Sequence, residues 1–274
     1  MFYYSPKYSV NIIGDLNNIG EVAFTRRDYF KFSGGFRMPS QSSGTSINLG
    51  SNDLGFLTSE NNRAKNINTK FGAANFSWSP KKTLDVSGFA IFSNSITGLQ
   101  ENRTVQFTNP DLGIPDESTE NNTSQRSDLG MVKLSAKYKP NINNQLDYDI
   151  LGRISKENQD QRFYSSVIGN INQLEESSPY SINQNLNYYY TLNENNIFAL
   201  EVQHLIKDED PFYNAIIEDK SNYEGTGNSL GLDGAQLDYN LAQDKRVKSN
   251  QVDAKLDYWN VLNTKSNINF TLGT

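Results

Sequence analysis

The chain holds a single histidine, His204, and no cysteine. An imidazole can act as a base or hold a metal ion, but either role needs partners: a second histidine, a thiolate, or a carboxylate on the same side. His204 sits inside the apolar stripe Phe198, Leu200, Val202, His204, Ile206, with no such partner on that stripe. It is therefore expected to be a structural histidine near the outer edge of the stripe. No spacing elsewhere places a nucleophile and a base on one face of an element. The sequence predicts no enzyme, no catalytic residue, no metal site and no cofactor.

Acidic groups cluster at Asp116 and Glu117 with Glu120, and at Asp208, Glu209 and Asp210. Hard oxygen ligands of this kind can hold calcium, but neither run has the spacing of a calcium loop, and both are expected to be solvated charge. Gly225, Gly227, Gly231 and Gly234 lack the strand-to-helix context of a phosphate-binding fingerprint and read as a flexible loop. The remaining binding candidates are aromatic. Phe163, Tyr164, Phe212, Tyr213 and Tyr223 lie in polar stretches where they would stack on a sugar or other planar ligand, or else pack those stretches together.

The elements that would position these groups are strands. Val132, Leu134, Ala136 and Tyr138 alternate with Lys133, Ser135 and Lys137; Leu146, Tyr148, Ile150, Gly152 and Ile154 alternate with Asp147, Asp149, Arg153 and Ser155. The same period of two returns in Leu84 to Phe92, Phe198 to Ile206 and Val252 to Tyr258. Runs of about 10 residues suit a tilted membrane-spanning strand better than the roughly 5 to 6 of a soluble sheet. On this reading the apolar face meets lipid, and Asp147, Asp149, Arg153, Asp253, Lys255 and Asp257 line a wet lumen.

Connectors alternate in length. Short ones fall at Ser79 to Lys82, Lys139 to Asn144, Asn193 to Asn195 and Asn260 to Thr264. Long polar stretches, expected as loops, run from about Met38 to Asn66, Ser93 to Ser124, Glu157 to Tyr180 and Lys207 to Val247. Tight turns at one end and long loops at the other are the asymmetry of an outer-membrane barrel. Phe76, Trp78, Tyr138, Tyr148, Tyr188, Tyr190, Phe198, Tyr258 and Trp259 flank the short turns, as an interfacial girdle does.

Composition agrees. Only 36% of residues are hydrophobic, so no stretch approaches the roughly 18 apolar residues of a membrane helix. Yet 15 Tyr and 15 Phe are far more than a disordered chain carries. A net charge of -6 with scattered basic residues gives no basic patch, so nucleic acid is not expected as a partner. The opening Met1 to Pro6 lacks the charged and apolar regions of a signal peptide, so the chain is expected to be a fragment without its N-terminal part.

One stretch goes beyond rhythm. Ser9-Val10-Asn11-Ile12-Ile13-Gly14-Asp15-Leu16-Asn17-Asn18-Ile19-Gly20, followed by Ala23-Phe24-Thr25-Arg26-Arg27-Asp28-Tyr29-Phe30-Lys31-Phe32-Ser33-Gly34-Gly35-Phe36, resembles the early barrel region of TonB-dependent receptors of the Bacteroidota type. Those receptors often carry a carboxypeptidase-like regulatory domain. The resemblance implies a 22-stranded plugged outer-membrane barrel that imports a scarce nutrient with energy passed on by TonB. No plug, no TonB box and no terminal aromatic are present here, and no ligand residue carries over.

The expected architecture is all-β: an antiparallel transmembrane β-barrel meander of about ten strands, an incomplete portion of a 22-stranded barrel, with residues 1–274 as one partial barrel domain. Its expected place is the outer membrane. Its expected partners are outer-membrane lipid, TonB through a missing N-terminal part, and a small-molecule or oligosaccharide ligand such as a siderophore. Two other readings stay open: a porin-like or structural barrel, and a soluble β-sandwich adhesin that would bury the Val132, Leu134, Ala136 face.

Overall fold

The structure is a computed structural model that describes residues 1–18, 64–106, 108, 115–263 and 266–274. Its strand segments form one antiparallel sheet: β1 (Phe2–Tyr4), β2 (Tyr8–Asn17), β3 (Ala64–Lys81), β4 (Leu84–Val105), β5 (Glu117–Asn141), β6 (Asn144–Ser165), β7 (Gly169–Ser177), β8 (Tyr180–Asn193), β9 (Asn196–Glu209), β10 (Phe212–Ile217), β11 (Tyr239–Asp244), β12 (Val247–Asn263) and β13 (Ser266–Gly273). A 3-10 turn, Lys220–Tyr223, leads into a six-residue helix, α1 (Glu224–Ser229). No helix among the described residues is long and apolar enough to cross a membrane.

The short turns share a local cause. In the turn after β5, Asn141 Oδ1 accepts from the Asn143 backbone N–H at 3.0 Å and from Asn144 Nδ2 at 2.9 Å. In the turn after β8, Asn193 Oδ1 does the same with Asn195 N (3.0 Å) and Asn196 Nδ2 (2.8 Å). An asparagine side chain that satisfies the backbone two residues on closes a tight turn without help from the rest of the fold. β1, which pairs with β2 through Tyr4↔Ser9, is a strand that the periodicity did not mark.

The segments β7 and β8 are separated only at Ser178 and Pro179. Likewise β9 and β10 part at Asp210 and Pro211, and β11 and β12 at Lys245 and Arg246. Register does not change across these points. Glu176↔Phe212 lies on one side and Tyr180↔Asp208 on the other, four residues along each strand. Phe212↔Asp244 and Glu209↔Val247 are likewise three residues apart on both strands. A bulge would add a residue to one strand, so these are not bulges. Pro179 and Pro211 cannot donate to the ladder, but their carbonyls still accept, from Ser155 N at 3.0 Å and Lys245 N at 3.1 Å. Asp210 Oδ1 takes the Ser178 N–H at 2.6 Å in place of a ladder carbonyl. The interruptions align into a crease across neighbouring strands. The segments thus compose ten strands in an up-and-down meander, and the expected hairpin pairing of sequence neighbours holds.

The long polar stretches are mostly not loops. β4, β5 and β6 run 22, 25 and 22 residues, so the β4–β5 ladder extends to Val105↔Glu117 and the β5–β6 ladder to Thr119↔Ser165. The segment from Glu157 to Tyr180 becomes a hairpin whose turn needs the positive φ of Gly169, 82°. Strands solvated on both faces carry no apolar alternation to announce them. The expected loop from Met38 to Asn66 falls mainly outside the described residues, as does the part of the resembling stretch beyond Asn18.

Register sorts the side chains onto two faces. Val132, Leu134, Val252 and Leu256 are 50%, 46%, 57% and 44% exposed, with Ile150 half-buried beside them, which excludes a sandwich core on this outer face. At its short-turn end Tyr190, Phe198, Tyr258 and Phe270 stack across four adjacent strands, with centroids 6.5, 4.8 and 6.2 Å apart. Tyr188 and Tyr258 turn their hydroxyls onto Asn144 and Asn196, at 2.7 and 2.5 Å. Trp259 does not join this row; it pairs with Ile197 and Asn269 on the opposite, inner face, because it is one residue out of phase with Tyr258. Among the described residues no ladder joins β1 or β2 to β13, so the sheet is open at both edges.

Candidate functional site

The inner face carries the charged rows. Asp149, Asn185, Gln203 and Asp253 are opposed in succession across β6, β8, β9 and β12, and Asp147, Asn187, Glu201 and Lys255 form the next row. All six residues expected to line a lumen therefore share one face. Lys133 lies 3.6 Å from Asp149, Lys255 2.7 Å from Asp257, and Thr271 donates to Asp257 at 2.5 Å. Ser135 donates a short hydrogen bond to Asp149. Asn185 is only 2% exposed, and neither polar atom of its amide has a partner among the described residues.

This face is not uniformly polar. Ala73, Ile91 and Met131 form one row on it, and Phe89, Leu129 and Leu151 flank that row, each 6% exposed or less. The charged inner face expected from Lys133 and Arg153 is thus interrupted on the β3–β6 side. In the run Leu129-Gly130-Met131-Val132 both faces are apolar, so a period of two cannot assign them.

Above the charged rows, at the crease, lies a cleft of about 380 Å³, lined mainly from the inner face but also by Asn158, Glu176 and Phe212 of the outer-face row. Gln125, Gln159, Glu175, Tyr213 and Gln243 cross it as one continuous row of β5, β6, β7, β10 and β11, with Glu157, Pro211 and Lys245 at its lower edge. The structure therefore brings Phe212 and Tyr213 to one cleft and leaves the other aromatic candidates apart. Phe163 lies on the inner face of β6, and Tyr164 on its outer face, 49% exposed. Tyr223 belongs to the 3-10 turn. None of the five sits in a structureless loop. The glutamines and glutamates of the cleft carried no signal in the sequence, because only the pairing of strands far apart in the chain aligns them.

Asn158 and Glu176, whose register sets them on the outer face, also line the cleft and are paired with each other, as are Asn214 and Asn240 beside it. Asn158 Nδ2 donates to Glu176 at 2.7 Å and Asn214 Nδ2 to Asn240 at 2.6 Å. Asp208, just past the apolar band, takes Arg246 Nε at 3.0 Å and Nη2 at 2.8 Å, with Lys248 at 3.7 Å. The Arg246 guanidinium holds the Asp208 carboxyl below the usual carboxylate range. Asp208 is therefore not the solvated charge expected of its acidic run; its side chain is 8% exposed. Glu117 also is bonded, accepting from Ser165 Oγ at 2.6 Å.

His204 lies on the outer face, as its stripe predicts, within a hydrogen-bonded line. Tyr148 Oη donates to Gln184 at 2.8 Å, Gln184 Nε2 lies 3.4 Å from His204 Nδ1, and His204 Nε2 lies 2.9 Å from Asn250 Oδ1. Both imidazole nitrogens are engaged by amides. Among the described residues no group of three metal-capable side chains assembles. The segment with Gly225 and Gly227 is folded too: Gly227 is buried against the ring of Tyr239, itself 2% exposed.

One solved structure similar to this chain is the open form of the ferric-catecholate import receptor Fiu from E. coli K12, at 9% identity and a TM-score of 0.37. The match covers 76% of this chain and 35% of that one, so the chain spans about a third of the receptor's length. No family model and no curated protein matches the sequence.

Proposed function

We propose that this chain is part of the wall of an outer-membrane β-barrel that serves as a TonB-dependent receptor and transporter. The observation that carries the proposal is the outer face: an exposed apolar band running from the Tyr190, Phe198, Tyr258, Phe270 row to the Ile154, Tyr180 row. About 10 residues at about 3.4 Å each, tilted by about 45°, span about 24 Å, close to the apolar height of such barrels. Opposite that band lie the rows of Asp, Asn, Glu and Lys, which suit a wet passage. The open edges at β1 and β13 would be met by further strands, since unpaired backbone groups are costly in lipid.

A receptor reading, over a porin-like wall, is supported by the cleft at the crease and by the strands that extend well past the apolar band. The TonB part of the reading rests on the resemblance of residues 9–36; the contact with TonB would be made by a segment other than these strands. The test is expression of the chain within its parent protein, followed by outer-membrane fractionation and gel mobility with and without heating. A heat-modifiable outer-membrane species is expected. Recovery as a soluble protein with an unheated mobility equal to the heated one would overturn the proposal.

A further inference from the structure

We infer that the crease is a hinge: β7, β10 and β11, with the 3-10 turn and α1, form one flap that tilts as a body on the wall below, at an angle set by side-chain clasps. The hinge rests on the ladders and the clasps alone, not on the proposed function. Its first support is that the flap is tied within itself. β7 pairs with β10 from Ile171↔Ile217 to Glu176↔Phe212, and β10 pairs in turn with β11 from Ile217↔Tyr239 to Phe212↔Asp244. At the far end the Glu218 N–H donates to Asn170 O at 3.1 Å, Asn172 Nδ2 to Glu218 at 2.8 Å and Asn222 Nδ2 to Val167 O at 2.9 Å, so the two hairpin ends are bonded to each other. The buried ring of Tyr239 seats Gly227 of α1 on β11.

The second support is what crosses the crease. Backbone ladders are directional and weaken steeply when strands tilt apart. At the crease side chains stand in for them: Asp210 Oδ1 takes the Ser178 N–H at 2.6 Å, and Asp208 takes Arg246 Nε and Nη2 at 3.0 and 2.8 Å, with Lys248 at 3.7 Å. A carboxylate on a rotatable side chain follows a tilt by turning about its own torsions. Pro179 and Pro211 keep the chain extended there, so the flap tilts without slipping register. The third support is the anchorage. β4, β5 and β6 pass the level of the crease unbroken, and β7 is fastened to β6 from Glu157↔Ser177 to Ser165↔Gly169. The tilt is therefore smallest beside β6 and grows toward β11, whose second edge pairs with nothing among the described residues. The cleft lies between Glu175, Tyr213 and Gln243 of the flap and Gln125 and Gln159 of the unbroken strands, so its width follows the tilt.

The test uses the absence of cysteine from the chain, which lets nitroxide labels be placed in pairs. Ser124 and Ala242 lie in one outer-face row above the crease, and Leu134 and Val252 in one row below it; each row crosses from β5 to the fourth strand on. Pulsed EPR distances are measured on the parent protein in detergent micelles, with Ser124→Cys and Ala242→Cys, or with Leu134→Cys and Val252→Cys. The upper pair is expected to give a broader distribution than the lower pair. Arg246→Gln should broaden the upper distribution again and leave the lower one unchanged. Should Arg246→Gln lose heat-modifiability, Asp210→Ala, which removes the side-chain acceptor of the Ser178 N–H, gives the same reading. An upper distribution as narrow as the lower, or a clasp variant that leaves the upper one unchanged or broadens both alike, would overturn the hinge. Loss of heat-modifiability in the unsubstituted protein would instead strike the barrel reading, and the comparison of the two distributions would still decide the hinge.

Discussion

Arg246 closes its guanidinium on Asp208 through two nitrogens, at 3.0 and 2.8 Å, at the point where the ladder between β9 and β12 ends and that between β10 and β11 begins. The two residues are 38 apart in the chain and adjacent in space only because Glu209 opposes Val247. A forked pair of this geometry is directional as well as charged, so it holds the strands in register where Pro211 contributes no donor.

Asp208→Asn should loosen the crease while leaving the spanning part of the wall in place. Hydrogen exchange should quicken in Ile171 to Ser177 and Phe212 to Ile217, with Leu186 to Tyr190 unchanged. The same loosening follows acid. The Asp208 carboxyl is held below its ordinary range by Arg246, so the pair's contribution is complete above the unfolded carboxylate pKa of about 3.9 and is lost as pH falls through the lower folded value. Exchange in those segments that stays flat from pH 6 down to full protonation would refute the role given to the pair.

The two faces of β5 should respond oppositely to charge. Leu134 is 46% exposed on the apolar band, while Lys133 faces Asp149 on the other side. Leu134→Arg should cost about 2 to 4 kcal/mol near the bilayer midplane, and Lys133→Leu far less. Heat-modifiability of the parent protein reads this difference; equal loss from both substitutions would reverse or abolish the face assignment.

Phe198 and Tyr258, with ring centroids 4.8 Å apart, should be energetically coupled. A double-mutant cycle to alanine, read by urea unfolding from lipid vesicles, should return about 0.5 to 1.5 kcal/mol beyond the loss of buried area. Coupling near zero would reduce the row to a compositional accident of strand-forming residues.

Gly227 lies where a methyl group would come 2.5 Å from Tyr239 Oη and 2.6 Å from its ring. Gly227→Ala should therefore displace Tyr239 from its buried seat, at about 1 to 3 kcal/mol of local overpacking. Limited proteolysis between Glu218 and Asp238 should become rapid in the variant and stay slow in the parent. Equal rates would show that the segment around α1 is not held by this contact.

The sequence by itself determined the strand character and the outward face. A period of two is a local property: once Val132, Leu134, Ala136 and Tyr138 lie on one side, Lys133 and Ser135 must lie on the other, whatever the strand pairs with. Short turns were equally legible, since Asn141 and Asn193 act on residues within three positions of themselves. Tertiary structure decided what depends on distant partners. Polar strands such as Glu117 to Ser127 have no apolar stripe and become strands only through the ladders to Ser95 to Val105 and to Glu157 to Ser165. The cleft row of Gln125, Gln159, Glu175, Tyr213 and Gln243 exists only because register carries five separate strands into line. Asp208 reads as solvated charge until the fold places Arg246 upon it. Alternation is written along one strand, whereas alignment across strands is a sum of pairings between residues tens of positions apart, and no single segment encodes it.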